Sequence, residues 1–233
     1  MLQKFRKFFA ALALLSVELV IVIVLFILSL VAFFYITDEI IVEKDNAFDN
    51  AVFAGIHPFI SPFLTNVMRV VTLFGSHNFL IPANIILAAF FLIRKHRWYS
   101  ISVPVVSLGS FIVMWSLKLF FSRQRPDDPV YQAAMGFSYP SGHAMSAMTF
   151  YGLLVVLAWR YVRNKVFRAA LIILLSLSIL LIGFSRIYLR VHYASDVLAG
   201  FSMGVIWLVL SLWTMKKIEN YVGRKKPAMN KNS

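Results

Sequence analysis

The chain has 233 residues, 60% of them hydrophobic and 14% charged, where a soluble domain would carry about 45–50% apolar and about 25% charged residues. This is membrane-protein composition, and the absence of cysteine excludes disulfides, cysteine-held zinc and thiol nucleophiles. The formal net charge is +13, and the positions of the charges decide whether it signals nucleic acid or membrane topology.

A membrane-spanning helix needs about 20 predominantly apolar residues. The first such run extends from Phe8 to Ile36, behind Lys4, Arg6 and Lys7. It is longer than the roughly 7–15 apolar residues of a signal peptide, and no small-x-small site precedes Thr37, so it reads as a retained anchor. Glu18 falls in it and reads as sitting near the cytoplasmic end where it hydrates, rather than acting in lipid entry or as a partner for a polar neighbour. Residues 37–57 are polar and acidic, with Phe48, Val52 and Phe53 at roughly helical spacing. They predict a short amphipathic helix lying at the interface.

Pro58 and Pro62 punctuate the chain. Residues 63–74 look helical but too short to span. After Gly75-Ser76, the run from Phe79 to Ile93 makes a second, short span. Four more follow, from Trp98 to Phe121, His143 to Trp159, Val166 to Phe184 and Tyr193 to Met215. His57, His77 and His96 lack partners at useful spacing and read as structural or interfacial. The expectation is an all-α integral membrane protein with six transmembrane helices and a short extracytoplasmic amphipathic helix. It forms a single domain, 1–233, with a basic tail, 216–233.

Sixteen of the 23 lysines and arginines fall in four stretches that six spans place on one side: Lys4–Lys7, Arg94–Arg97, Arg160–Arg168 and Lys216–Lys231. The positive-inside rule puts them in the cytoplasm, with both termini. The charge is therefore topological, and nucleic acid is not an expected partner. Five of the remaining seven break the trend: Lys118, Arg123, Arg125, Arg186 and Arg190 sit at the outer ends of the third and fifth spans.

Three stretches meet there. Lys118 to Pro126 leaves the third span; Tyr139-Pro140-Ser141-Gly142-His143 begins the fourth; Ser185 to Asp196 joins the fifth and sixth. Lys118, Arg125 and Arg186 repel one another unless an anion lies between them, and arginine forks suit phosphate oxygens. Ser141-Gly142-His143 opens a helix whose free amides cradle an anion. His192 and Asp196, four apart at a helix start, fall on one face, so the carboxylate orients the imidazole. His143 supplies a general acid. The set reads as phosphoryl transfer through a phosphohistidine, with side-chain cations doing what magnesium does elsewhere. Arg123 reads as an interfacial snorkelling residue, Asp127 and Asp128 as a turn with Pro129 rather than a metal site, and Tyr188 and Arg190 as loop-shaping residues.

The spacings K-x6-R-P, P-S-G-H and S-R-x5-H-x3-D resemble those of the type 2 phosphatidic acid phosphatase family, with every signature position present between Lys118 and Asp196. The resemblance implies the helix-bundle core of the acid phosphatase/vanadium haloperoxidase type. It assigns His192 as nucleophile, Asp196 as its orienting partner and His143 as proton donor to the leaving oxygen. Lys118, Arg125, Ser141, Gly142 and Arg186 would bind phosphate, with Ser185 and Pro140 supporting. It implies no metal, no cofactor and no obligatory protein partner. Bacterial members of this layout act on phosphatidylglycerophosphate, phosphatidic acid or undecaprenyl diphosphate at the outer face of the inner membrane. Rival readings are a phosphotransferase using the same phosphohistidine, and a transporter or scaffold that only binds lipid phosphate. A soluble haloperoxidase does not fit the membrane composition.

Overall fold

The computed structural model describes residues 17–131 and 135–225, without the side chains of residues 223–225. The expected basic residues Lys4, Arg6, Lys7, Lys226 and Lys231, and the start of the first span, lie outside the described residues.

Eight α-helices follow one another among the described residues: α1 (Val17–Thr37), α2 (Ala47–Ile56), α3 (Pro62–Leu73), α4 (His77–Ile93), α5 (Arg97–Phe121), α6 (Gly142–Tyr161), α7 (Lys165–Tyr188) and α8 (Ala194–Lys225). There is no strand among them. Six segments are long and apolar enough to cross a membrane, as the hydrophobic runs predict. Their lipid-facing sides carry exposed apolar residues such as Val31, Ile86, Leu108 and Leu174. A span that is apolar all round has no hydrophobic reason to prefer one neighbour, so packing and small residues decide the association.

The core is α6, the most buried span, with α7 and α8 packed along it. Between α6 and α8 the seam is built on Gly200 and Gly204, one turn apart on α8. A Cβ at Gly200 would lie 2.7 Å from the Ser141 carbonyl oxygen, and one at Gly204 2.7 Å from Met148 Cβ. Only hydrogen fits at either position, and the two backbones touch there. Ala144, whose Cβ faces Gly200 across the same interface, is wholly buried. On the far side α1 lies along α8, where Phe33 packs with Ala199 and Ile206, and α5 packs against α4.

Two differences from the sequence reading bear on the site. First, α3 and α4 are separated only by Phe74-Gly75-Ser76, so the second apolar segment runs from Pro62 to Ile93, beyond the short span expected at 79–93. Its α3 half packs on α7 at the site end of the bundle, where the Tyr188 hydroxyl accepts from the Ser61 amide at 3.0 Å. Second, the amphipathic helix α2 does not present its one acid to water. Phe48 is exposed, whereas Asp49 is completely buried against α8. Phe53 packs on the Tyr193 ring with centroids 5.7 Å apart, and the Arg190 guanidinium lies 5.0 Å from its ring.

Glu18 is exposed, and its carboxylate also accepts from the Trp159 indole N–H at 3.1 Å, which gives it a polar partner and ties α1 to α6.

Candidate active site

The three motif segments converge at one end of the bundle. α5 ends at Ser122, which takes the left-handed conformation (φ 49°) and turns the chain from Lys118, on the last turn, toward Arg125. After a cis Tyr139-Pro140 peptide, Ser141 caps α6, its hydroxyl accepting from the Ala144 amide at 3.5 Å. Its own amide donates to the Asp196 carbonyl at 2.9 Å, which fixes the start of α6 on the start of α8. α7 ends at Tyr188, and Arg190, again left-handed (φ 51°), redirects the chain through Val191 and His192 into α8.

A cavity of about 370 Å³ opens between these ends. Lys118, Arg125, Gly142, His143, Arg186 and His192 line it together with Gly136 and Phe137. Six residues singled out from three distant stretches thus share one wall. Lys118 Nζ is buried and donates to the carbonyls of Phe137 (2.6 Å) and Ser138 (3.1 Å). Arg125 spans the 135–137 segment and the Val191 carbonyl (2.6 Å). Arg186 donates through Nη1 to Thr72 Oγ1 at 2.8 Å, and its buried Nε has no protein partner. A cationic group that keeps a buried donor unassigned beside two other cations is arranged for an anion.

His192 is 2% exposed. Its Nε2 lies 3.2 Å from Arg125 Nη1, so that nitrogen accepts, and Nδ1 carries the hydrogen toward Asp196. Burial, and then the charges of Arg125, Arg186 and Lys118, hold the imidazole well below its ordinary range and therefore neutral. The pairing with Asp196 differs from the helical i,i+4 geometry expected. His192 precedes α8 rather than lying on it, and Nδ1 is 3.4 Å from Asp196 Oδ2, beyond a good hydrogen bond. The Ser138 hydroxyl stands beside both, donating to Asp196 Oδ2 at 2.5 Å and lying 3.2 Å from His192 Nδ1. Ser138 carries no sequence signal: it lies 54 residues from His192, in a segment already rich in serine and aromatic residues.

Asp196 is completely buried. Its Oδ2 also accepts from the Tyr193 amide at 2.9 Å, while Oδ1 accepts from Arg123 Nη1 at 2.7 Å. Arg123 is therefore no snorkelling residue. Its side chain is 10% exposed and bridges Asp196 to Asp49. Tyr139 is wholly buried, shares a 2.6 Å hydrogen bond with Thr37 Oγ1, and has its phenol pushed up to about 12 by burial.

Ser141, read as phosphate-binding, does not line the cavity, being wholly buried with its hydroxyl used as the cap of α6, and the two supporting candidates also fall away from the cavity wall. The Ser185 hydroxyl donates to the Ile182 carbonyl of its own helix at 2.6 Å, and Pro140 shapes the turn before Ser141. His77, read as structural, lines the cavity instead. Gly75 explains how the α3–α4 turn clears His143: a Cβ there would lie 3.2 Å from the imidazole Cδ2. Next to the polar cavity, sharing His77 and Phe111 with it, an apolar cavity of about 560 Å³ lies between α4, α5 and α6, lined by Leu80, Ile85, Leu108 and Phe150 among others. Among the described residues no three His, Cys, Asp or Glu side chains gather as metal ligands.

Residues 99–219 match the family model described as the PAP2 superfamily. Phosphatidylglycerophosphatase B of Bacillus subtilis (strain 168) is 31% identical over 164 residues, covering 69% of this chain and 79% of that protein. The crystal structure of a transmembrane PAP2-type phosphatidylglycerolphosphate phosphatase from Bacillus subtilis superposes with a TM-score of 0.68 at 29% identity, over 84% of this chain and 96% of that one. That of Aquifex aeolicus LpxE does so with a TM-score of 0.57 at 27% identity, over 72% and 97%.

Proposed function

Since the chain belongs to the PAP2 superfamily and is an integral membrane lipid phosphatase, we propose that it removes a phosphomonoester or diphosphate group from a lipid through a phosphohistidine on His192. One observation carries this reading: an accepting imidazole nitrogen and a second imidazole share a cavity with three cations that have no carboxylate among its lining residues.

In this scheme Lys118, Arg125, Arg186 and the first amides of α6 hold the phosphoryl oxygens. His192 Nε2 attacks phosphorus, a P–N bond forms, and the P–O bond to the lipid breaks. His143 delivers a proton to the departing oxygen; the negative charge of the substrate favours the imidazolium it needs. Water then attacks the phosphohistidine, His143 takes its proton, and orthophosphate leaves. Asp196 stabilises the positive charge on His192 through Nδ1. The cradle supplies transition-state charge stabilisation from fixed side chains, so the scheme needs no metal.

The adjoining apolar cavity supports a lipid as substrate, with its phosphate among the cations and its chain between α4, α5 and α6. Phosphatidylglycerophosphate, phosphatidic acid and undecaprenyl diphosphate are the candidates. The whole chain is read as one domain in a bacterial cytoplasmic membrane. Arg94, Lys95, Arg97, Arg160, Arg163, Lys165 and Arg168 cluster at helix ends away from the cavity, which favours both termini in the cytoplasm and the site outside.

The test is phosphate release by purified protein in EDTA, with the three lipids offered singly and in competition. Wild type turns over at least one of them, and His192→Ala, still folded, does not. Undiminished hydrolysis by His192→Ala would remove the phosphohistidine from the mechanism. Transfer of the phosphoryl group to an added lipid or sugar alcohol, in place of release, would identify a phosphotransferase.

A further inference from the structure

The ion-paired cluster beside Asp196 has no part in the scheme above, yet both terminal nitrogens of Arg123 and both oxygens of Asp49 are paired in it. Arg123 Nη1 donates to Asp196 Oδ1 (2.7 Å) and Ser195 Oγ (2.8 Å); Nη2 donates to Asp49 Oδ2 and Asn46 Oδ1, both 2.8 Å. Asp49 in turn accepts from the Ser195 amide (2.9 Å) and hydroxyl (2.6 Å), in the first turn of α8. The Arg123 guanidinium carbon lies over the Tyr193 ring, 4.0 Å from its centroid. Both carboxylates are completely buried.

A buried network of two carboxylates on one guanidinium is a poor stability device, because desolvation offsets most of the attraction. What it fixes is geometry. With Oδ1 held on Arg123, the Asp196 carboxylate cannot rotate about its last bond, and Oδ2 alone faces Ser138 and His192. We propose that Arg123 and Asp49 are positioning residues for the reaction. By this assignment the outer helix α2, through Asp49, clamps the Asp196 carboxylate onto His192 and belongs to the catalytic apparatus rather than only covering it. The proposal rests on His192 and Asp196 having the roles given above.

Charge gives the two residues opposite signatures. His192 is faced by Lys118 from α5, Arg125 from the following loop, His143 from α6, Arg186 from α7 and Asp196 from α8. Arg123→Gln takes away the cation that neutralises Asp196, so the carboxylate acts more strongly on His192 and its imidazolium is favoured. Asp49→Asn leaves Arg123 to Asp196 alone, which weakens that pull.

The experiment measures kcat, KM and the pH dependence of kcat/KM, with thermal unfolding, for wild type, Arg123→Gln, Arg123→Lys, Asp49→Asn and His192→Ala. Both Arg123→Gln and Asp49→Asn should lose about tenfold to a hundredfold in kcat, the scale of a sub-ångström to 1 Å misplacement, with KM within about twofold. The acid limb should move to higher pH in Arg123→Gln and to lower pH in Asp49→Asn, and Arg123→Lys should recover part of kcat. Full kcat in both neutral variants overturns the proposal. So does a loss that tracks melting temperature with the acid limb unmoved. Should Arg123→Gln not fold, the isosteric Asp49→Asn decides by the same two criteria. Activity retained in His192→Ala refutes the phosphohistidine reading, whereas an inactive His192→Ala beside fully active clamp variants refutes the clamp alone.

Discussion

Gly200→Ala tests whether the seam between α6 and α8 sets the reacting distance. The added Cβ would lie 2.7 Å from the Ser141 carbonyl oxygen, 3.0 Å from Ala144 Cβ and 3.3 Å from the Met145 amide nitrogen. Ordinary C···O contacts begin near about 3.3 Å, so the helices must part by about 0.6 Å. Two of the three obstacles are backbone atoms and have no rotamer in which to escape. The displaced residue is Ser141, whose amide is bonded to the Asp196 carbonyl, and the shift carries Gly142 and His143 away from His192. If a 1 Å error costs about a hundredfold, 0.6 Å costs about tenfold in kcat. Overpacking costs about 1–3 kcal/mol of stability, and the better helix propensity of alanine returns about 1 kcal/mol, leaving a net loss of about 0–2 kcal/mol. The matched control is Gly55→Ala on α2, where nothing lies within 4 Å of the new Cβ; it should leave turnover unchanged and raise stability by up to about 1 kcal/mol. Phosphate release and thermal unfolding in detergent read both. Full kcat in Gly200→Ala refutes the argument that this contact governs the geometry of the site.

Ser138→Ala removes the hydroxyl between His192 and Asp196; kcat should fall about tenfold with KM little changed, and an unaffected kcat would show that the 3.4 Å pair suffices alone. Because His192 is held neutral in the fold and titrates near 6.5 when unfolded, the unfolded chain gains the proton first on acidification. Its contribution to stability should therefore fall as pH drops below about 6.5, by at most about 1.4 kcal/mol per pH unit, and be constant above it. Added orthophosphate should flatten that dependence and His192→Asn should reduce it, as read by melting temperature from pH 5 to 8. Tyr188→Phe removes the acceptor of the Ser61 amide and should cost about 1–2 kcal/mol of stability while kcat holds, by the same unfolding and phosphate-release assays.

The spans and the three motif stretches were readable because both are written in local order: apolar runs of the right length, and fixed spacings of charged and imidazole side chains. The rest depends on which helix end meets which. Asp49 looked like one acid among several in a polar segment, and Arg123 like one of several interfacial cations; their pairing joins residues 74 apart and needs α2 folded back over the start of α8. Ser138 has the same character. The helical reading of His192 and Asp196 missed the turn at Arg190, since a left-handed arginine leaves no mark in spacing. α3 was too short to count as a span, and only its packing on α7 reveals its role. Gly200 and Gly204 were legible in principle as a small-xxx-small pair, a signal for close helix contact inside a longer apolar run.

The unassigned Nε of Arg186, set among Lys118 and Arg125, has a kinetic corollary. On the proposed mechanism, orthophosphate freed from His192 would meet the same donors that drew the lipid headgroup in, but without an apolar tail whose departure would loosen it. Such a trap would grip its product, and escape of the ion, not bond cleavage, would then be the bottleneck of each cycle. Accumulated orthophosphate in the surrounding medium would in that case act as a brake.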